Sequence, residues 1–253
     1  MNKAIQGNNE EVTFTKLLNQ KGNLWNSLGY NDSDYFAIHV ISNKFGEINQ
    51  GKIPPKADIF IGKGRVDDDY LKFQDYYLNE NDVTKFGLES VSKSGISVKL
   101  AKSNYTIIKI SPSTFQKIFG SNILGVGASI YSSKEFEKNP SVLLGWGITF
   151  EEFQTFFADL LKIDKSEINL DNKNILGKIK TISNETIKKQ VLESIEISDL
   201  VFKGIGNFEE PFTAHWIIEN DEIKENYYVP FSVTTGSGRS KGIFTIVLKP
   251  KKT

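Results

Sequence analysis

Cysteine is absent from the 253 residues, and this one absence removes a disulfide framework, thiolate catalysis and Cys-ligated zinc. Histidine is nearly absent too: His39 and His215 are the only two, so a site built on several imidazoles is excluded. Any metal must therefore be held by oxygen, which points to hard cations such as Mg²⁺, Ca²⁺ or Mn²⁺. No apolar run reaches the ~18–20 residues of a membrane span. The opening Met1-Asn2-Lys3-Ala4-Ile5-Gln6-Gly7 lacks the apolar stretch of a secretory leader, so a cytoplasmic protein with no membrane partner is expected. Net charge is absent as well, with 31 basic residues against 31 acidic ones. A neutral whole still permits a local basic cleft. Arginine is confined to Arg65 and Arg239.

What is present is ordinary globular material: 39% hydrophobic, 25% charged and 12% aromatic residues. A chain this long buries roughly three quarters of its unfolded surface, so one core needs no staple.

The pattern along the chain alternates helix and strand signals. Residues 9–21 place Val12, Phe14, Leu17 and Leu18 at helical spacing behind an Asn cap and two acids. Residues 35–42 and 57–62 read as strands, as do 95–100 and 105–110. Residues 65–90 are polar and predict a helix or an ordered insertion; Asp67-Asp68-Asp69 within them is a solvated charge run. Ser111–Thr114 caps a short helix, and Thr149 caps a longer one with Phe153, Phe156, Phe157, Leu160 and Leu161 on one stripe. Ser183–Ile195 is a further helix, and 213–219, 227–234 and 242–248 are strands. Gly62-x-Gly64 and Gly125-x-Gly127 lack the continuation of a phosphate loop and read as turns. This predicts a mixed α/β (α+β) protein, with 1–145 as one α/β unit and 146–253 as a helical segment ending in antiparallel sheet.

The run Pro54-Pro55-Lys56-Ala57-Asp58-Ile59-Phe60-Ile61, followed by Gly95-Ile96-Ser97-Val98-Lys99-Leu100, resembles the PD-(D/E)XK nuclease superfamily, and within it restriction-endonuclease-like proteins. There an Asp at the head of one strand pairs with an acid-x-Lys triplet on the next. Phosphodiester hydrolysis requires neutralising a charged transition state and deprotonating a water; a carboxylate-held Mg²⁺ serves the first, a neighbouring Lys the second. Residues i and i+2 of a strand share a face, so Ser97 and Lys99 point together.

The resemblance spans roughly residues 10–120. It implies Asp58 as the strand acid and metal ligand, Glu11 (with Glu10 as its neighbour) as the first-helix acid and second ligand, and Lys99 as the lysine. The chain departs from the pattern at Ser97, which stands where the second acid belongs. Glu47 and Glu89 are both candidates to lend a replacement carboxylate. An insertion over 65–92 accounts for the long separation of Asp58 and Ser97. The Gly/Ser loop 236–242 carries Ser237, Arg239 and Lys241 between two strands, and a two-stranded ribbon can enter the major groove.

The expectation is a restriction-endonuclease-like core (1–145) with a DNA-recognition part (146–253). The function expected is Mg²⁺-dependent cleavage of double-stranded DNA by a type II restriction enzyme, working as a homodimer on palindromic sites. A repair or junction nuclease of the same superfamily and a non-catalytic binding module are the alternatives.

Overall fold

The computed structural model describes residues 3–31, 33–41, 56–99, 105–130, 142–169, 171–204, 213–225, 229–236 and 244–251. It has the expected mixed α+β character. The chain divides into two compact units, 1–105 with 202–228, and 106–201 with 229–253. The division expected at 145/146 is thus not where the chain separates. Strand pairing gives the reason: two strands that the sequence places late and early belong to the opposite sheets.

In the first unit, helix α1 (Lys3–Asn19) packs on a sheet of order β1 (Tyr35–His39), β2 (Ile59–Lys63), β4 (Ile96–Lys99), β6 (Trp216–Glu219), β7 (Glu222–Glu225), with β3 (Glu89–Ser90) on the side of β2. β2 runs antiparallel to both β1 and β4, but β6 arrives parallel to β4, pairing Ser97 with Ile217 and Lys99 with Glu219. The alternation of β1, β2, β4 and β6 sends Ala37, Ile59, Ile61, Ile96 and Ile218 to one face. There they meet Phe14 and Leu18 of α1 and the buried Trp25. Phe60, Ile38, Val40 and Leu88 form a separate cluster.

α1 ends at a left-handed residue, Lys21 (φ 58°), whose N–H bonds the Leu18 carbonyl. The Lys21 ammonium lies 3.2 Å from the centroid of the Trp25 ring and donates to the Tyr35 carbonyl. α2 (Asn23–Asn26) follows at once.

The polar stretch 65–90 is helical in part. Asp67 is no idle member of its acidic run: it caps α3 (Asp68–Phe73), accepting from the Tyr70 N–H, while Asp68 and Asp69 occupy the first turn, where the helix dipole favours them. α4 (Glu80–Phe86) opens on a capping box of Asn79 and Asp82 and closes on Gly87 in the left-handed region. The hairpin joining β6 to β7 turns on Asn220 and Asp221, both with positive φ (54° and 62°), the geometry of a two-residue type I′ turn.

In the second unit β5 (Ile108–Ile110) pairs with β9 (Ile246–Pro250), which pairs with β8 (Phe231–Thr235). α5 (Pro112–Phe119) has its Ser111 cap and early Pro as the sequence predicts. Gly125 and Gly127 lie not in a turn but inside α6 (Ile123–Ser129). A Cβ on Gly125 would come within 2.1 Å of the Trp146 ring, and one on Gly127 within 2.1 Å of Ser183 Oγ and 2.5 Å of Phe157. Small residues are needed because α6 packs tightly against Trp146 on one side and against Ser183 of the long helix Lys173–Glu193 and Phe157 on the other. The Thr149 cap and Phe153/Phe157 stripe form the helix Phe150–Leu161 as expected. Among the described residues no helix is long and apolar enough to cross a membrane.

Candidate active site

Asp58 sits one residue before β2, yet its backbone already belongs to the ladder. Its N–H donates to the Ile96 carbonyl (2.8 Å), and its carbonyl accepts from the Val40 N–H (2.9 Å). Backbone bonds on both flanks fix the side chain's point of departure. Beside the Ile59–Ile96 pairing Asp58 meets Ser97, and Lys56 lies within electrostatic reach of Lys99 and Asp58.

Side chains close this corner of the sheet. The Val98 N–H donates to Asp58 Oδ2 at 2.7 Å and Ser97 Oγ donates to the same oxygen at 3.2 Å. Lys99 Nζ donates to Ser97 Oγ at 2.6 Å, which leaves the hydroxyl proton for Asp58. Ser97 is thus a bridge from the lysine to the carboxylate, buried to 2% exposure. Both bonds fall on Oδ2, so Oδ1 has no hydrogen-bond partner among the described residues.

Glu11 reaches this corner from α1. Its carboxylate is close enough to act on Asp58, and its Oε2 lies 3.2 Å from His39 Nε2. Of the four residues the sequence singles out, Asp58, Ser97 and Lys99 are therefore hydrogen-bonded in series, and Glu11 stands within electrostatic reach of Asp58. Beside them a cleft of about 280 Å³ is lined by Asn9, Glu10 and Thr13 of α1, by Lys99, and by Asn220 and Asp221 of the β6–β7 turn.

Burial dominates the electrostatics. It lifts the Asp58 carboxyl above the usual carboxylate range; the Lys99 ammonium opposes this, the Glu11 carboxylate adds to it, and the bonds from Val98 and Ser97 oppose it again, with the net shift upward. Lys56 is pushed down to about 7, first by burial and then by repulsion from Lys99, with Asp58 acting in the other direction. Lys56 is a member of the site that sequence reasoning passed over. It stands within the quoted motif, but only the folded chain brings it within electrostatic reach of Lys99.

One of the remaining sequence candidates lies apart. Glu89 does not lend a carboxylate here: it is exposed and pairs with Lys63, five residues beyond Asp58, about 16 Å away at the rise of a strand. Glu47 lies outside the described residues, as do Ser237, Arg239 and Lys241.

The donor set is all oxygen: two carboxylates, with a hydroxyl between one of them and the lysine. Among the described residues there is no group of three or more His, Asp or Glu placed to hold a metal. The residues present fit a cation that takes one or two carboxylates and completes its shell from water and substrate oxygen, as Mg²⁺ does, with Asp58 Oδ1 open to it. They do not fit a fully caged metal. Chemically the corner offers a half-buried carboxylate, an ammonium tied to it through one hydroxyl, and a second amine. Comparison with known proteins found no match to any family model, curated protein or solved structure.

Proposed function

We propose that the chain is a Mg²⁺-dependent endonuclease of the restriction-endonuclease-like kind that hydrolyses phosphodiester bonds of double-stranded DNA. The observation that carries this reading is the hydrogen-bonded series Lys99–Ser97–Asp58 across two adjacent strand ends, with Glu11 beside it.

In this reading Asp58 and Glu11 hold Mg²⁺. When bound, the ion supplies charge neutralisation at the phosphate and Lewis acidity. Lys99 offsets negative charge on the phosphate and orients the attacking water, its stem fixed in β4 and its head tethered to Ser97. Ser97 takes the place of the second acid without adding a third negative charge. Lys56 adds an amine that need not carry a proton at neutral pH. Loop residues Ser237, Arg239 and Lys241 are the proposed DNA contacts. A homodimer in the cytoplasm acting on palindromic sites as a type II restriction enzyme is the form this activity takes. The acid missing at position 97 favours a second reading, a module that binds the phosphodiester backbone without cutting it.

Incubation of supercoiled plasmid with the protein and Mg²⁺ separates these readings. Discrete, EDTA-sensitive bands support the restriction enzyme. A smear or cutting confined to branched duplexes transfers the site to repair or junction work. Intact plasmid with retained DNA binding overturns cleavage and selects the binding module.

A further inference from the structure

His39 enters the sequence argument only as one of two histidines, yet it is 2% exposed and both ring nitrogens are engaged. Nε2 lies 3.2 Å from Glu11 Oε2, and Nδ1 lies 2.8 Å from the Tyr77 hydroxyl. The direction of these bonds follows from their ends. A carboxylate only accepts, so the proton between Glu11 Oε2 and His39 Nε2 belongs to the imidazole. A neutral imidazole protonated at Nε2 accepts at Nδ1, and the partner there is the Tyr77 hydroxyl, which donates its proton. Burial is the largest cause raising the Tyr77 hydroxyl pKa, so the phenol keeps its proton at neutral pH.

We propose that Tyr77, His39 and Glu11 form a one-directional hydrogen-bond chain that fixes His39 as its Nε2–H tautomer and makes it the positioning residue for the Glu11 carboxylate. Its use toward Mg²⁺ rests on the nuclease reading; its polarity does not. The chain is well seated. The His39 N–H bonds the Leu78 carbonyl, and His39 bridges Asn79, so strand β1 and the segment before α4 are held in step. The Asn79 N–H is in turn held by Asp82 Oδ2. Side chains that orient a ligating carboxylate typically change metal affinity by about 10–100-fold when removed.

The test has two arms. In the first, long-range ¹H–¹⁵N NMR of the full-length protein reads the His39 ring. The expected spectrum shows a protonated Nε2 and an unprotonated Nδ1, and Tyr77→Phe mixes the tautomers while circular dichroism stays unchanged. A protonated Nδ1, or no response to Tyr77→Phe, overturns the chain. In the second arm, calorimetry reads Mg²⁺ affinity. His39→Leu should weaken it by about tenfold or more, and His39→Gln, which keeps an N–H donor, should recover most of the loss. Unchanged affinity in a folded His39→Leu overturns the positioning role. If the wild type takes up no Mg²⁺ while its His39 spectrum is as expected, the nuclease reading fails and the chain's polarity stands.

Discussion

Asp58 shows at the scale of one residue how stability and chemistry oppose each other. Its pKa is raised, so the fold favours the protonated carboxyl. That contribution is complete below the ordinary carboxylate pKa and is lost as pH rises through the raised folded value. At neutral pH the ionised Asp58 is therefore held at a cost. Asp58→Asn keeps an oxygen for Val98 and Ser97 but removes the charge; it should raise the urea midpoint at pH 7 while abolishing Mg²⁺-dependent cleavage. Lys99→Ala should abolish cleavage as well, with the fold retained. Cleavage near wild type by either variant would sink the proposed site. These residues were legible in the sequence because strand parity and order along the chain, a carboxylate heading one strand and a lysine two residues after a small polar one on the next, are local facts. Lys56, His39 and Tyr77 were not legible. Their roles come from contacts between segments far apart in the chain, which no local spacing encodes.

Among elements, the end of α1 and the inside of α6 carry opposite lessons about strain. Lys21 is forced into a half-buried place over Trp25, and burial, only partly countered by Asp34, lowers its pKa to about 7. Between pH 7 and the ordinary lysine value of 10.5 the unfolded chain binds a proton that the folded chain has released. Stability from this group therefore rises with pH across that window. Denaturant midpoints at pH 7.5 and 9.5 should show this rise in the wild type and a smaller one in Lys21→Met; equal slopes would dismiss the desolvated lysine. In α6 the glycines read as turn residues from the sequence alone, because it offers no sign that a helix must pass close to its neighbours. Gly127→Ala should cost about 1–3 kcal/mol by overpacking Ser183 and Phe157. Gly177, exposed in the Lys173–Glu193 helix with no atom within 4 Å of a added Cβ, is the contrast. Gly177→Ala should stabilise by about 0.5–1 kcal/mol through helix propensity and chain entropy. Urea titrations of both variants check the pair.

The whole molecule is where the sequence reading fell short. Hydrophobic period locates a strand without saying which sheet it joins. The strand at 216–219 was expected with the C-terminal sheet, yet it completes the first one; the strand at 108–110 was expected with the first sheet, yet it joins the last. β7 escaped notice because Glu222-Ile223-Lys224-Glu225 has a single apolar residue and partly exposed pairing. The consequence is specific. A fragment of residues 1–145 lacks Ile218, which packs with Ile59, Ile61 and Ile96, and leaves β4 without β6 on one edge. It should show no cooperative unfolding transition by circular dichroism, whereas residues 1–105 joined by a flexible linker to 202–228 should show one. Cooperative melting of 1–145 would mean that the β4–β6 ladder is dispensable.

The same parallel ladder has a bearing on how the protein is born. Ser97 pairs with Ile217, 120 residues later (217 − 97). Translation is vectorial, so β4 leaves the ribosome with one edge bare and stays so until the far strand has been made. Long-range parallel pairing is also slow to form, because the loop-closure entropy is lost before the contacts reward it. Polypeptides abandoned midway through synthesis would carry Glu11, Asp58, Ser97 and Lys99 without the strand that braces the last two. On the nuclease reading, that order of events keeps unfinished copies inactive.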